Sequence, residues 1–145
     1  MTSGEIDFSR AEIKVTKHFN AHQDYETPIP GFIIVASKRH VLSLSEFSDA
    51  EQKEFIRLIR ALREGMRQTL KVKYVYLFQN EDTKHHFHLW MFPRLGWMDR
   101  FGKGINSVEP IVKYAQKNMK TKDNLKKIEE SVKKMRVYME KVIMG

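Results

Sequence analysis

The feature that most constrains this chain is a pair of aromatic-rich segments separated by only five residues. Residues 73–80 and 86–92 have the aromatic and β-branched composition of strands, and residues 81–85 between them are polar. So short a link can join antiparallel strands, whereas parallel strands need a crossover of a dozen or more residues. The sequence therefore predicts an antiparallel hairpin here.

Three amphipathic segments predict helices. Ser48 and Glu51 form a Ser-x-x-Glu capping box, and apolar residues then recur every three or four positions up to Leu70. Ser107 caps a second segment, and Thr121 begins a third with apolar residues at alternating spacings of three and four. These spacings place the apolar residues in a narrow seam along one side of the third helix. Such a seam is typical either of a helix that packs on its own domain or of a helix that binds a partner.

Other segments complete the prediction of one domain over residues 1–145. The apolar run 32–36 follows turn residues and predicts a buried strand, and a weaker strand is expected within residues 11–19. Residues 95–106 lack a period and predict a loop, and residues 107–145 are expected to form a basic helical C-terminal extension. A chain of 145 residues has room for a single core.

The charge of the chain is uneven. Lys and Arg number 26 against 18 Asp and Glu, which gives +8, and residues 111–145 alone carry 10 basic and 4 acidic groups, or +6. A basic balance attracts anions without specifying which anion. The chain has no cysteine, so disulfides, thiolate nucleophiles and Cys-based metal sites are excluded. No secretory leader or membrane-spanning run is recognisable, and a cytoplasmic protein is expected.

Histidines form the strongest local signal. His86, His88 and Trp90 share one face of the predicted strand because side chains alternate, and the opposite face carries apolar residues that suit a core. The histidine face is then expected to be open or polar. Three interpretations are open: histidines without a function, a metal site in which His40 or His18 is a third ligand, and a neutral imidazole that attacks phosphorus.

The residues around this strand resemble those of the histidine-triad family. Residues 86–94, His-Phe-His-Leu-Trp-Met-Phe-Pro-Arg, are similar to its His-φ-His-φ-His-φ-φ motif followed by Pro-Arg, with Trp90 where the third histidine belongs. Residues 30–35, Pro-Gly-Phe-Ile-Ile-Val, and residues 37–41, Ser-Lys-Arg-His-Val, resemble the strand and Lys-Arg-His segment that precede the motif in that family. The two matches lie in the family's order within residues 28–94.

The resemblance implies both a fold and a chemistry. It implies an α+β domain with an antiparallel sheet of about five strands and a long helix, to which the two predicted C-terminal helices are added, and members commonly dimerise through the long helix and an adjoining strand. It also implies that His88 is the nucleophile on the α-phosphate of a nucleotide or nucleotide conjugate, with a nucleotidyl-histidine intermediate. His86 and His40 would complete the catalytic group, Asn80 and Trp90 would line the substrate pocket, and no cofactor or metal is implied.

Two departures from the family pattern keep a second function open. Trp90 has an indole N–H that donates a hydrogen bond but no titratable proton, although the related galactose-1-phosphate uridylyltransferases carry glutamine there and remain transferases. The link 81–85 is shorter than the Gly-rich loop of many members, with Thr83 or Lys84 as substitutes for its phosphate contacts, and Asp24 is only a candidate for a ribose contact. The alternative is a module that binds nucleotide, or RNA through its basic tail, without catalysis.

Overall fold

A five-stranded antiparallel sheet forms the centre of the molecule. The computed structural model describes residues 11–83 and 86–143. The strands are β1 (Glu12–Val15), β2 (Phe19–Gln23), β3 (Ile33–Ser37), β4 (Tyr74–Phe78) and β5 (His88–Arg94), and their order in the sheet is β1-β2-β3-β5-β4. The helices are α1 (Asp49–Leu70), α2 (Val108–Asn118) and α3 (Lys122–Glu140), with short 3-10 helices at Leu44–Glu46, Gly96–Phe101 and Ile105–Ser107. The predicted α+β class is confirmed.

The strands follow the predictions with local differences. The hairpin of β4 and β5 is confirmed, but β5 begins at His88, so His86 precedes the strand. Residues 11–19 were predicted as one weak strand, whereas the structure has β1 and a separate β2 that continues to Gln23. The sequence prediction missed most of β2 because its composition is polar, although Phe19, Ala21 and Gln23 alternate toward the interior.

One face of the sheet is covered by α1 and α3. A hydrophobic cluster fills the space between this face and the helices. It contains Phe87, Leu89 and Met91, as their alternation predicts, together with the apolar side of α1. The seam of α3 is buried in the same cluster through Ile128, Val132, Met135 and Met139. Helix α3 therefore packs on its own domain, which is the first of the two interpretations of its apolar seam.

Gly65 brings α1 and α3 close together. A Cβ atom added at Gly65 would lie 2.8 Å from Cδ2 of Tyr138 and 3.0 Å from Cε of Met135. Real Cβ atoms do not approach other atoms so closely, so a larger residue here would push the helices or the Tyr138 ring aside. The glycine thus has a packing role within α1.

The second face of the sheet is open only at one end, which corrects the expectation of an open histidine face. Phe92 lies on the same face as His88 and is buried with Phe32, Met98 and Ile111 beneath α2 and the preceding loop. Arg94, 8% exposed, holds this loop because it donates hydrogen bonds to the Gly102 carbonyl oxygen at 2.8 Å and to Ser107 Oγ at 3.2 Å. Helix α2 therefore covers the Phe92 end of the face and leaves the His88 end accessible.

The C-terminal helices are part of the core. Helix α3 contributes to the cluster on one face of the sheet and α2 to the cluster on the other. No helix in residues 11–83 and 86–143 is long and apolar enough to cross a membrane.

Candidate functional site

Three predicted histidines line one cleft. His40, His86 and His88 surround a volume of about 510 Å³, and the rest of its wall consists of Asn20, Ala36, Ser37 and Lys38. The rings of His40 and His86 meet edge to face, with centroids 4.2 Å apart. His88 is half-buried, whereas His40 and His86 are exposed. We call this site the histidine cleft.

The backbone around Phe87 positions His86 and His88. The Phe87 N–H donates to the Val41 carbonyl oxygen at 2.7 Å, and the Ser37 N–H donates to the Phe87 carbonyl oxygen at 3.2 Å. These bonds tie the start of β5 to the segment that follows β3, which carries His40. His88 is paired in the sheet with Ala36, whose small side chain leaves room beside the imidazole. Two segments nearly fifty residues apart thus bring the three histidines together.

The loop that carries His40 is anchored to the first turn of α1. The Arg39 guanidinium donates to Glu51 through Nη2 at 2.9 Å and through Nε at 3.2 Å, and the Glu51 side chain is 2% exposed. Glu51 also accepts from the Ser48 N–H at 2.8 Å as part of the capping box. The Arg39 hydrogen bonds, and then that of the Ser48 backbone, lower the pKa of Glu51 to about 2.

We expect Glu51→Gln to weaken the protein at neutral pH and to flatten its acid sensitivity. Because the pKa of Glu51 falls from 4.5 in the unfolded chain to about 2 in the folded protein, its stabilisation is present above pH 4.5 and is lost as the pH falls toward 2. The variant should lose on the order of 2 kcal/mol at pH 7. Urea unfolding at a series of pH values measures both effects.

Glu64→Gln is the matched control for this prediction. Glu64 lies on the same helix, and the Arg67 guanidinium also lowers its pKa to about 2, but this pair lies at the surface. Exposed ion pairs contribute little to stability, so this variant should unfold like the wild type. Equal losses in the two variants would contradict the role given to Glu51.

His22 belongs to the surroundings of His88, although no sequence motif points to it. Asn20 and His22 alternate with the buried residues of β2 and face the same side of the sheet as His88. His22 Nδ1 lies 3.3 Å from Asn20 Oδ1. Burial, and to a smaller extent the nearby His88, lowers the pKa of His22. Recognising residues 19–23 as a strand would have placed His22 on this face.

The two predicted pocket residues line a separate cavity. Asn80 and Trp90, with Phe78 and Gln79, form one wall of a volume of about 680 Å³, and residues of the segment 105–112 form the other. Trp90 is 38% exposed, and its ring meets Phe32 edge to face at 5.5 Å. We call this site the tryptophan pocket. The five predicted residues are therefore divided between two cavities.

The two cavities are neighbours along β5. Trp90 follows His88 on the same face, about 6.5 to 7 Å along the strand. Phe78 is paired with Trp90 in the register of β4 and β5, and Asn80 follows two residues after Phe78 and lines the tryptophan pocket with Trp90. The histidine cleft and the tryptophan pocket are thus lined by His88 and Trp90, neighbours on the same face of β5.

Several minor predictions have different outcomes. Asp24 Oδ2 accepts from the Thr27 N–H at 3.1 Å, so this carboxylate caps a turn, and burial raises its pKa. Lys84 and His85 lie outside the described residues, and Thr83 is exposed. His18 Nδ1 pairs with Glu54 at 3.1 Å and does not line the histidine cleft. Within residues 11–83 and 86–143, no group of three or more His, Asp or Glu side chains is arranged to hold a metal ion.

Comparison with known proteins places the fold. No profile of a known protein family matches the chain. The galactose-1-phosphate uridylyltransferase of Thermotoga maritima is 28% identical over 73% of this chain, and the match spans 39% of that enzyme. This chain thus covers well under half the length of its curated relative.

Solved structures of histidine-triad proteins superpose on most of the chain. A zinc-bound histidine-triad family protein from Mycobacterium smegmatis has a TM-score of 0.60 at 17% identity, covering 90% of this chain and 84% of that one. A Hit-like protein from Bartonella henselae has a TM-score of 0.59 at 15% identity, covering 88% and 85%. The diadenosine triphosphate hydrolase of Plasmodium falciparum has a TM-score of 0.60 at 14% identity, covering 90% and 77%. The histidine-triad fold expected from the sequence motifs is confirmed.

Proposed function

We propose that this protein binds a nucleotide conjugate and acts as a hydrolase or transferase at its α-phosphate, through a nucleotidyl-histidine intermediate on His88. The observation that carries the proposal is the position of His88. It is half-buried at the start of β5. Two other histidines line its cleft, and Trp90 of the tryptophan pocket is the next residue on the same face of the strand. The likeness to galactose-1-phosphate uridylyltransferase and to diadenosine triphosphate hydrolase supports the same reaction class.

The proposed chemistry has two displacements. A neutral His88 imidazole attacks the α-phosphorus, so that a nitrogen–phosphorus bond forms as the bond to the leaving group breaks. Water or another acceptor then attacks the same phosphorus and releases the imidazole. His40, His86 and Lys38 line the same cleft as His88, so they are suited to donate hydrogen bonds to the phosphate oxygens.

Asn80 and Trp90 are proposed to bind the part of the substrate that lies beyond the phosphate. Trp90 offers an aromatic face and one N–H donor, and Asn80 offers an amide that both donates and accepts. A pocket of about 680 Å³ is large enough for a nucleoside or a sugar. The apolar walls Phe78 and Trp90 favour a ring over a flexible polar chain.

The proposal is tested by a substrate screen with trapping of the intermediate. Nucleoside phosphoramidates, dinucleoside polyphosphates and nucleotide sugars are incubated with the protein, and acid-labile nucleotidylation is sought by intact mass. The proposal expects product and an adduct on the peptide that contains His88. Turnover without any adduct, in a rapid-quench experiment on the best substrate, would argue for direct attack by water.

We expect Trp90→His to accelerate the cleavage of poor leaving groups. A histidine at this position can protonate the departing atom, and general acid catalysis contributes about 10²- to 10⁴-fold. With an amine as leaving group, kcat/KM should therefore rise by about 10²-fold or more, whereas an acidic phenol should leave equally fast from both proteins. Trp90→Phe is the control, and an equal gain there would assign the effect to side-chain size.

A non-catalytic nucleotide-binding module is the second candidate. It is favoured by the exposed indole of Trp90, which can stack on a base but cannot supply a proton. Under this alternative, nucleotide binding persists in His88→Ala and neither protein turns over any substrate in the screen. Calorimetric titration with nucleoside monophosphates distinguishes the two candidates.

Homodimer formation stays a prediction. Ile56 on α1 is 63% exposed and Leu77 on the edge strand β4 is 54% exposed, so both elements present apolar side chains at the surface. An edge strand also presents backbone groups that a second copy can pair with. Helix α1 and strand β4 are therefore the proposed surfaces of contact between two copies.

A further inference from the structure

We propose that a third cavity, separate from the histidine cleft and the tryptophan pocket, binds single-stranded nucleic acid. It has a volume of about 650 Å³ and is lined chiefly by Trp97, Arg100, Tyr114, Met119, Asn124 and Lys127. These residues belong to the 3-10 helix Gly96–Phe101, to α2 and the turn that follows it, and to the first turns of α3. We call this site the aromatic pocket.

The aromatic rings of this site form a connected surface. The Trp97 and Tyr114 centroids are 5.6 Å apart, and Phe101 packs behind them at 5.5 Å from Tyr114. Trp97 and Tyr114 are only half-buried. Nucleobases stack on exposed aromatic rings whatever their identity, since every base has a π-face. The pocket is therefore suited to hold an unpaired base.

Cations lie at the same site as the rings. The Arg100 guanidinium is 4.5 Å from the Tyr114 centroid and 4.9 Å from that of Phe101, and Arg100 is exposed. A guanidinium stacked in this way keeps N–H donors in its plane for a phosphate. Lys127 also lines the pocket and is exposed. A base on the rings would thus have two positive charges in the same pocket that are available to its phosphate.

The charge around the pocket extends beyond one nucleotide. Residues 95–127 carry eight Lys or Arg against three Asp or Glu. Two of these acids already have basic partners, since Asp99 pairs with Arg94 at 3.4 Å and Glu109 with Lys113 at 2.9 Å. Lys117 lies one helical turn after Tyr114, and Lys120 follows Met119 directly. Several cations on the segments that form one stacking site fit consecutive phosphates of a strand better than a lone nucleotide.

The aromatic pocket is independent of the proposed reaction. It shares no lining residue with the histidine cleft or with the tryptophan pocket. The rings also pack the loop onto α2, but packing alone does not require an arginine and a lysine at the rim of the same cavity. Binding should therefore survive the loss of His88.

The test is fluorescence anisotropy with a labelled 12-nucleotide single-stranded RNA of mixed sequence. For about three phosphate contacts, raising the salt from 50 to 200 mM should weaken binding about 20-fold. Lys127→Glu should weaken binding about tenfold at 50 mM salt and make the slope of log affinity against log salt shallower by about 0.7. Trp97→Leu, which keeps an apolar side chain of useful size, should weaken binding at least fivefold.

Matched controls make the outcome decisive. Lys133→Glu makes the same charge change on α3 away from the pocket, and it should leave the affinity within twofold of the wild type. His88→Ala should bind like the wild type, and thermal melts identify any variant that fails to fold. Equal weakening by Lys127→Glu and Lys133→Glu, or displacement of the RNA by inorganic polyphosphate with no effect of Trp97→Leu, would overturn the proposal.

Discussion

Substituting His88 with alanine should reduce turnover by about 10³-fold or more while leaving the protein folded. The loss is large because the imidazole forms the bond to phosphorus, and no other group of the histidine cleft lies at the same place on the strand. His88 is half-buried and does not belong to either hydrophobic cluster. The variant should therefore melt close to the wild-type temperature. Single-turnover kinetics on the best substrate of the screen measures the effect.

His18→Gln is the matched control for this result. His18 is also half-buried, but it pairs with Glu54 outside the histidine cleft. Its replacement should leave kcat/KM within about threefold of the wild type, whatever its effect on stability. Turnover by His88→Ala at the wild-type rate would exclude His88 as the nucleophile, and the non-catalytic alternative predicts no turnover by either protein.

Phe87→Ala should lower the free energy of unfolding by about 3–5 kcal/mol. Phe87 is 1% exposed, and its ring contacts those of Phe47 and Phe55 with centroid distances of 5.0 and 5.5 Å. Removing the ring leaves a cavity between the sheet and α1 that the surrounding side chains cannot fill. Urea unfolding at pH 7 measures the loss.

The same residue connects stability to the site. Phe87 lies between His86 and His88 in sequence and points to the opposite side, so its burial holds both histidines at the cleft. Phe87→Leu should recover much of the stability, because it restores apolar volume. Val137→Ala on α3 is the control, since Val137 is 52% exposed and its truncation should change stability by less than about 0.5 kcal/mol. A similar loss in both variants would contradict the anchoring role.

Much of the fold could be predicted because its signals are local. The capping box of Ser48 and Glu51, the period of α1 and the five-residue link of the hairpin each depend on residues close together in the chain. Strand β2 was missed because its polar sequence becomes a strand through pairing with β3. A strand that forms mainly because it pairs with its neighbours shows little strand propensity in its own sequence.

Only the part of the candidate site that depends on neighbouring residues could be predicted from the sequence. The predicted alternation along residues 86–92 places His88 and Trp90 on one face and Phe87 on the other, and the structure has this arrangement. The contribution of His22 and the separation of the two cavities could not be predicted. The first depends on the pairing of β2 with β3, which itself pairs with β5, and the second on how the segment 105–112 lies opposite Trp90; both are set by contacts between distant segments.

The sequence by itself determined the secondary structure around the motif, the faces of β5 and the concentration of positive charge after residue 110. These follow from the periods of helix and strand, which are properties of neighbouring residues. Only the tertiary structure decided that α2 closes one end of the histidine face, that the seam of α3 packs inside the domain, and that Trp97, Arg100, Tyr114 and Lys127 form one pocket. Such arrangements require segments far apart in sequence to share a core, and the entropy lost in bringing them together is offset by burial that no local pattern encodes.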